Sequence, residues 1–170
     1  GRHRYDVPTT DTTIMVAINN NMTHAQFRAE MLKWALVRVP LIGKAVHSAV
    51  STAVYQGIVQ KTPVLTGRAR HNWFPTLGAP SSAAVEETAG VSVTGEPMTP
   101  QEMGRINTVT QKLKALPLGQ TEVFVTNNQP YIQGLEDGRS PKSPPAAMVQ
   151  GTIINTLDGL KVDIRSIPGL

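Results

Sequence analysis

From Phe27 to Ile58 the apolar residues of this 170-residue chain recur at helical spacing, and no other feature constrains its fold as strongly. Phe27, Met31, Trp34 and Ala35 share one face. Beyond Pro40 the stripe continues through Leu41, Ile42, Ala45, Val46, Ala49, Val50, Ala53, Val54 and Ile58. Thr23 is placed to act as N-cap, with Gln26 as its capping-box partner, and Pro63 ends the run. Pro40 has no amide hydrogen and crowds the preceding turn, which predicts a kink or a split near Arg38 and Val39. Small residues, Gly57 among them, fill much of the stripe and let another backbone approach closely. The expected cover is a sheet, ahead of a partner helix or a membrane face.

Turn chemistry divides the remainder. Residues 1–11 are polar and hold Pro8, and residues 12–18 are β-prone, so residues 1–22 read as an N-terminal arm with a candidate strand. Val64 to Gly67 enters a turn, and a strand is expected to begin at Asn72, Trp73 and Phe74. Residues 75–98 are rich in Gly, Ala, Pro, Ser, Thr and Glu and read as a long loop excursion with a small hairpin around Val91 and Val93. Thr99, Pro100 and Glu102 then supply an N-cap, a first-turn proline and a capping-box acid for a helix reaching Leu116. Residues 121–126 alternate like a half-buried strand. Pro130 suits the first turn of a short helix with Tyr131 and Leu135 on one face, and Gly138 closes it in the left-handed region. Pro145 opens a last helix from Ala146 to Leu157, with Met148, Ile153 and Leu157 on one face. Residues 160–165 are either a final strand or an extended helix end.

The chain is long enough for one domain with a core, and its length gives no reason to divide it. Aromatics make up only 5% of it, so the core must rest on aliphatic residues and stays thin, which favours burial against neighbouring copies. The absence of cysteine excludes disulfides and thiolate metal sites. The sequence holds no long apolar run and no signal-peptide core at its start, so a soluble, non-exported protein is expected, with no membrane partner. A formal charge of +4 is spread thinly, grouped only at Arg2/Arg4, Arg68/Arg70 and Lys112/Lys114.

Catalytic signals are weak. His3, His24, His47 and His71 stand far apart, no phosphate-binding loop is present, and Ser48 beside His47 points away from it on a helix. No catalytic, cofactor or metal residues are assigned. Glu136 differs from the other carboxylates because it ends a short helix, where the negative pole disfavours it; a donor is expected, with Arg68 or Arg70 as candidates.

Two blocks carry a resemblance. In residues 61–73 these are Thr62, Pro63, Val64, Thr66, Gly67, Arg68, Arg70 and Trp73. In residues 119–157 they are Asn127, Pro130, Tyr131, Leu135, Glu136, Gly138, Ser140, Pro145 and Met148. Together they resemble the bacteriophage tail-completion proteins of the neck, the group that includes the lambda minor tail protein Z. This sequence departs from the pattern at Leu65, where an acid is usual, at Asp137, where an aromatic is common, and in its long excursion. The resemblance implies an α+β protomer, with a long N-terminal helix and a C-terminal helix packed on a small antiparallel sheet. It also implies a homo-oligomeric ring, hexameric in the family, that joins the tail to the head connector beside the tail terminator or tail tube, with DNA passing transiently through its lumen. The implied location is the virion neck, after assembly in the host cytoplasm, and no catalysis or cofactor is implied. Thr66, Gly67, Arg68, Arg70, Trp73, Asn127, Pro130, Tyr131, Glu136, Gly138, Pro145 and Met148 become interface or structural candidates. A tail terminator ring protein stands as the near alternative. A basic nucleic-acid-binding accessory protein using Arg68, Arg70, Lys112 and Lys114 is the alternative from another class.

Overall fold

The computed structural model describes residues 22–64, 66–86, 97–120, 122–139 and 147–169. The candidate strand at 12–18, the hairpin around Val91, Ser140 and Pro145 lie outside them. Helix α1 (His24–Lys33) starts at Thr23 with a complete capping box: the Thr23 hydroxyl accepts from the Gln26 amide, and the Gln26 side chain accepts from the Thr23 amide. A π-helical turn, Trp34–Arg38, joins it to α2 (Val39–Lys61). The Val39 amide donates to the carbonyl of Trp34, five residues back. This wider turn makes room for Pro40, whose ring would otherwise meet the Leu36 carbonyl, so the disturbance expected near Arg38 and Val39 takes the form of one turn of π-helix.

Short elements follow. Helix α3 (Arg68–His71) leads into β1 (Phe74–Leu77), α4 (Pro100–Lys114), β2 (Val123–Thr126), α5 (Ile132–Glu136), α6 (Gln150–Gly159) and a 3-10 turn at Ile164–Ser166. Strands β1 and β2 pair antiparallel, with Phe74 opposite Thr126 and Leu77 opposite Val123. The fold is α+β: a long helix near the start, further helices and a small antiparallel sheet. Four sequence expectations shift. The first strand begins at Phe74, because Arg68–His71 closes a helical turn that carries Asn72 with it. The last helix starts at Gln150, so Met148 precedes it. Ile153 and Leu157 are exposed, so they form no buried face with Met148. Residues 160–163 are irregular and run into the 3-10 turn, neither strand nor continued helix.

The core sits at the C-terminal end of α2. Tyr55, Ile58 and Val59 pack with Trp73, Leu113 and Met148, and Val123 and Val125 of the sheet close over them. Full burial of such side chains contributes about 1.5–3 kcal/mol each. Polar groups fasten α2 to α4 and to the loop after it: Ser48 Oγ donates to the Leu113 carbonyl at 2.8 Å and Gln56 Nε2 to Thr110 Oγ1 at 3.0 Å on α4, and His47 Nδ1 donates to the Gln120 carbonyl of the loop at 3.0 Å. Ser48 and His47 therefore have separate partners. On its other side α2 approaches α6 closely: a Cβ added at Gly57 would lie 2.5 Å from Thr152 Cγ2. The sheet thus covers only part of the long helix. Helices α4 and α6 take the rest of its C-terminal half, and α1 buries no residue at all.

Candidate functional site

Two turns meet in a dense polar joint. At the first, Thr62 caps α2 with its hydroxyl, donating to the Ile58 carbonyl at 2.7 Å and accepting from Trp73 Nε1 at 2.8 Å. Arg70 Nη2 donates to the Thr62 carbonyl at 3.3 Å. One buried threonine therefore ties the helix end, the tryptophan and the arginine together, and its hydroxyl both donates and accepts, as burial of a polar group requires. Gly67 has φ 76°, a left-handed conformation that a β-branched residue tolerates poorly, and it starts α3. Thr66 is exposed beside it.

Asn72 then does what a strand would otherwise do. It is fully buried; its Nδ2 donates to the carbonyls of Arg68 and Val85, both at 2.8 Å, and its Oδ1 accepts from the Val85 amide at 2.6 Å. Asn128 Nδ2 donates to the Ser81 and Ala83 carbonyls, and Thr126 Oγ1 accepts from the Ser81 amide. The first part of the excursion, 81–86, is thus held to the sheet edge by side chains replacing a backbone ladder. Asn127 bridges the two turns, donating to the Ala69 carbonyl at 2.8 Å and accepting from the Gln129 amide at 3.1 Å.

At the second turn Pro130 is exposed and Tyr131 half-exposed ahead of α5. Partial burial raises the Tyr131 phenol above its ordinary pKa, with Arg68 acting in the opposite sense. Gly138 closes α5 at φ 72°, and the Arg139 amide donates to the Gly134 carbonyl at 2.9 Å, a six-residue Schellman bond. The expected pairing of Glu136 with Arg68 or Arg70 is not what the structure has. Glu136 accepts from the amides of Val149 (3.0 and 3.2 Å) and Gln150 (3.0 Å), capping α6. The reasoning that a carboxylate at a helix end needs a donor holds. The donors are orphan amides at the next helix start, which must be satisfied in any case and favour negative charge. Arg68 pairs with Glu86 instead, and Arg70 Nη1 lies 3.9 Å from the buried Glu102. Burial lowers the Arg70 guanidinium from its ordinary pKa while Glu102 opposes the shift. Met148 is fully buried and pins the segment that Glu136 caps. Ala147, just before it, has φ 44°.

Sequence reasoning located Trp73, Asn127, Glu136, Gly138 and Met148 at this joint, and missed Asn72, Asn128 and the depth of Glu102. Glu102 carries its capping-box signature openly, whereas a single asparagine between Arg70 and Trp73 has no spacing that announces a backbone clamp. The second surface is the helical arm. Phe27, Met31, Leu32, Leu36, Val37 and Val39 are all exposed on α1, the π-turn and the start of α2, and Arg38 lies over the Trp34 ring at 5.6 Å. No helix among the described residues is long and apolar enough to cross a membrane. No family model, curated protein or solved structure matches this chain.

Proposed function

We propose that this chain is a non-enzymatic structural protein of a phage neck, completing the tail end and joining it to the head connector as one protomer of a ring. The observation that carries the reading is the arm. Helix α1 is fully capped yet buries nothing, and six large apolar side chains along the arm face solvent. Ordered apolar surface on this scale marks a contact with another chain. Head-to-tail rings need two different faces per protomer, and an arm at one end with a rigid joint at the other supplies two. The neck context comes from the resemblance of the Thr62–Trp73 and Asn127–Met148 residues to tail-completion proteins. The joint suits that role because its polar groups are spent on backbone clamps: Arg68 and Arg70 are engaged with Glu86 and Glu102, which disfavours the nucleic-acid alternative.

Particles assembled without this chain are expected to accumulate as filled heads and unattached tails, with wild-type protein restoring joining and Gly67→Val or Gly138→Val failing to do so. A symmetry-resolved image of the neck should place the chain there as a ring. Infectious particles of normal yield in its absence, or its density at the tail tip, overturn the reading.

A further inference from the structure

A cavity of about 570 Å³ lies between α2, α4 and β1, bordering the joint at His71 and Trp73 and away from the arm. Trp73, Phe74, Val109 and Leu116 are among its apolar walls, and Tyr55 and Arg105 supply the polar groups that matter here. Tyr55 retains 1% of its exposure, and its hydroxyl makes no hydrogen bond among the described residues. Arg105 is half-buried, and its guanidinium likewise has no hydrogen bond or ion pair among them. Burial lowers the pKa of Arg105, opposed by Tyr55 and by Glu102, and raises that of Tyr55, opposed by Arg105, so the two groups face each other in a setting that solvates them poorly. Two facing polar groups without a hydrogen bond among the described residues thus share one largely apolar hollow, and Lys112 adds a second cation to its lining. A buried donor without a partner costs stability, and a bound acceptor would recover it.

We infer that this cavity binds a carboxylate carried on a compact apolar or aromatic body, with Arg105 and Tyr55 receiving the carboxylate and the Trp73 side filled by the body. A guanidinium presents a planar fork of donors that matches the two oxygens of one carboxylate, and a phenol O–H adds a further donor. The volume falls within the range of small-ligand sites and accommodates a phenyl ring with a short chain. The acid can be a free small molecule or an acidic residue beside an aromatic one in a partner's peptide. The inference does not rest on the proposed assembly role, although Trp73 belongs to both the cavity and the joint.

The test titrates the full chain with 3-phenylpropionate, with its primary amide and with the blocked dipeptide acetyl-Asp-Phe-amide, following the Trp73 indole N–H by NMR. The acid should bind about tenfold more tightly than the amide, a ratio set by the charge-assisted pairing. Arg105→Gln should bring acid and amide within about twofold of each other, and Arg105→Lys should retain part of the preference. Tyr55→Phe should weaken the acid by a few-fold, which keeps a reading available if Arg105→Gln does not fold. Tighter binding of the dipeptide than of phenylpropionate assigns the site to a protein partner, and the reverse order to a free acid. Equal binding of acid and amide, no shift with any probe at millimolar concentration, or an unchanged preference in folded Arg105→Gln overturns the inference.

Discussion

The two ends of one helical run, from His24 to Lys61, have similar apolar periodicity and opposite fates. At the C-terminal end Tyr55, Ile58 and Val59 keep no more than 2% of their exposure, locked against Trp73, Leu113 and Met148. At the N-terminal end Leu36 is 71% exposed and α1 buries nothing. Helical spacing therefore decides which residues share a face, while cover depends on what the rest of the chain can bring to it. The arm holds its helix through local means, a complete capping box and good helix formers such as Ala, Glu, Met, Leu and Lys. The packed end is held by tertiary contacts, and the two kinds of stability should respond differently to substitution.

The largest effect is expected where packing and hydrogen bonding coincide. Trp73→Ala empties the core beside Tyr55 and Ile58 and leaves the Thr62 hydroxyl without the indole donor, so a loss of about 3–5 kcal/mol is expected in denaturant unfolding. A loss below about 1 kcal/mol would break the comparison, since the packed end would then not hold the fold. Gly57→Val drives a branched side chain into Thr152, itself buried, where α2 meets α6, and should cost about 1–3 kcal/mol. Gly43, also on α2 but with open space around its Cα, provides the matched control: Gly43→Ala should be neutral or stabilising by up to about 1 kcal/mol.

Glu136→Ala removes the acceptor of the Val149 and Gln150 amides and should cost about 1–2 kcal/mol, with Glu136→Gln recovering part of it. Arg68→Gln should leave this contribution untouched, because the two side chains are not partners; coupling in a double-mutant cycle would contradict the assignment. Alkaline titration tests the packed end in another way. Burial raises the Tyr55 phenol above its ordinary value near 10, so above that pH the unfolded chain releases a proton that the folded chain keeps. The unfolded state then binds fewer protons, and stability should fall as pH rises from about 10 to the folded value. Tyr55→Phe should flatten that alkaline slope in unfolding curves taken between pH 8 and 11.

Much of this contrast was readable in the residues themselves. Both capping boxes, the disturbance at Pro40, the stop at Pro63 and the closure at Gly138 rest on local chemistry, and local chemistry is what a sequence carries directly. The partners of side chains are another matter. The need of Glu136 for a donor was legible from its place at a helix end. The supply of that donor by α6 depends on where the fold brings the start of that helix, which no local rule specifies. Asn72 and Asn128, which hold 81–86 by clamping its backbone, were invisible for the same reason: an asparagine in a turn reads as a turn former, and only the fold brings the excursion beside it. The last helix starts later than the helix-opening signal of Pro145 predicts, because Met148 is drawn into the core ahead of the first helical turn.

The smallest effect on the isolated fold is expected in the arm, and it is the one that separates the two ends most sharply. Leu36→Ser removes the most exposed of the arm's large apolar side chains, which takes no part in the core cluster, so unfolding of a dilute sample should change by no more than about 0.5 kcal/mol. The same substitution should lower the mass seen by light scattering at high protein concentration if other copies cover the arm, because association stabilises in proportion to the surface it buries. A drop in dilute stability as large as that of Glu136→Ala would mean that the arm is already covered within its own chain. An unchanged mass together with unchanged stability would remove self-association through the arm and leave a different protein as its cover.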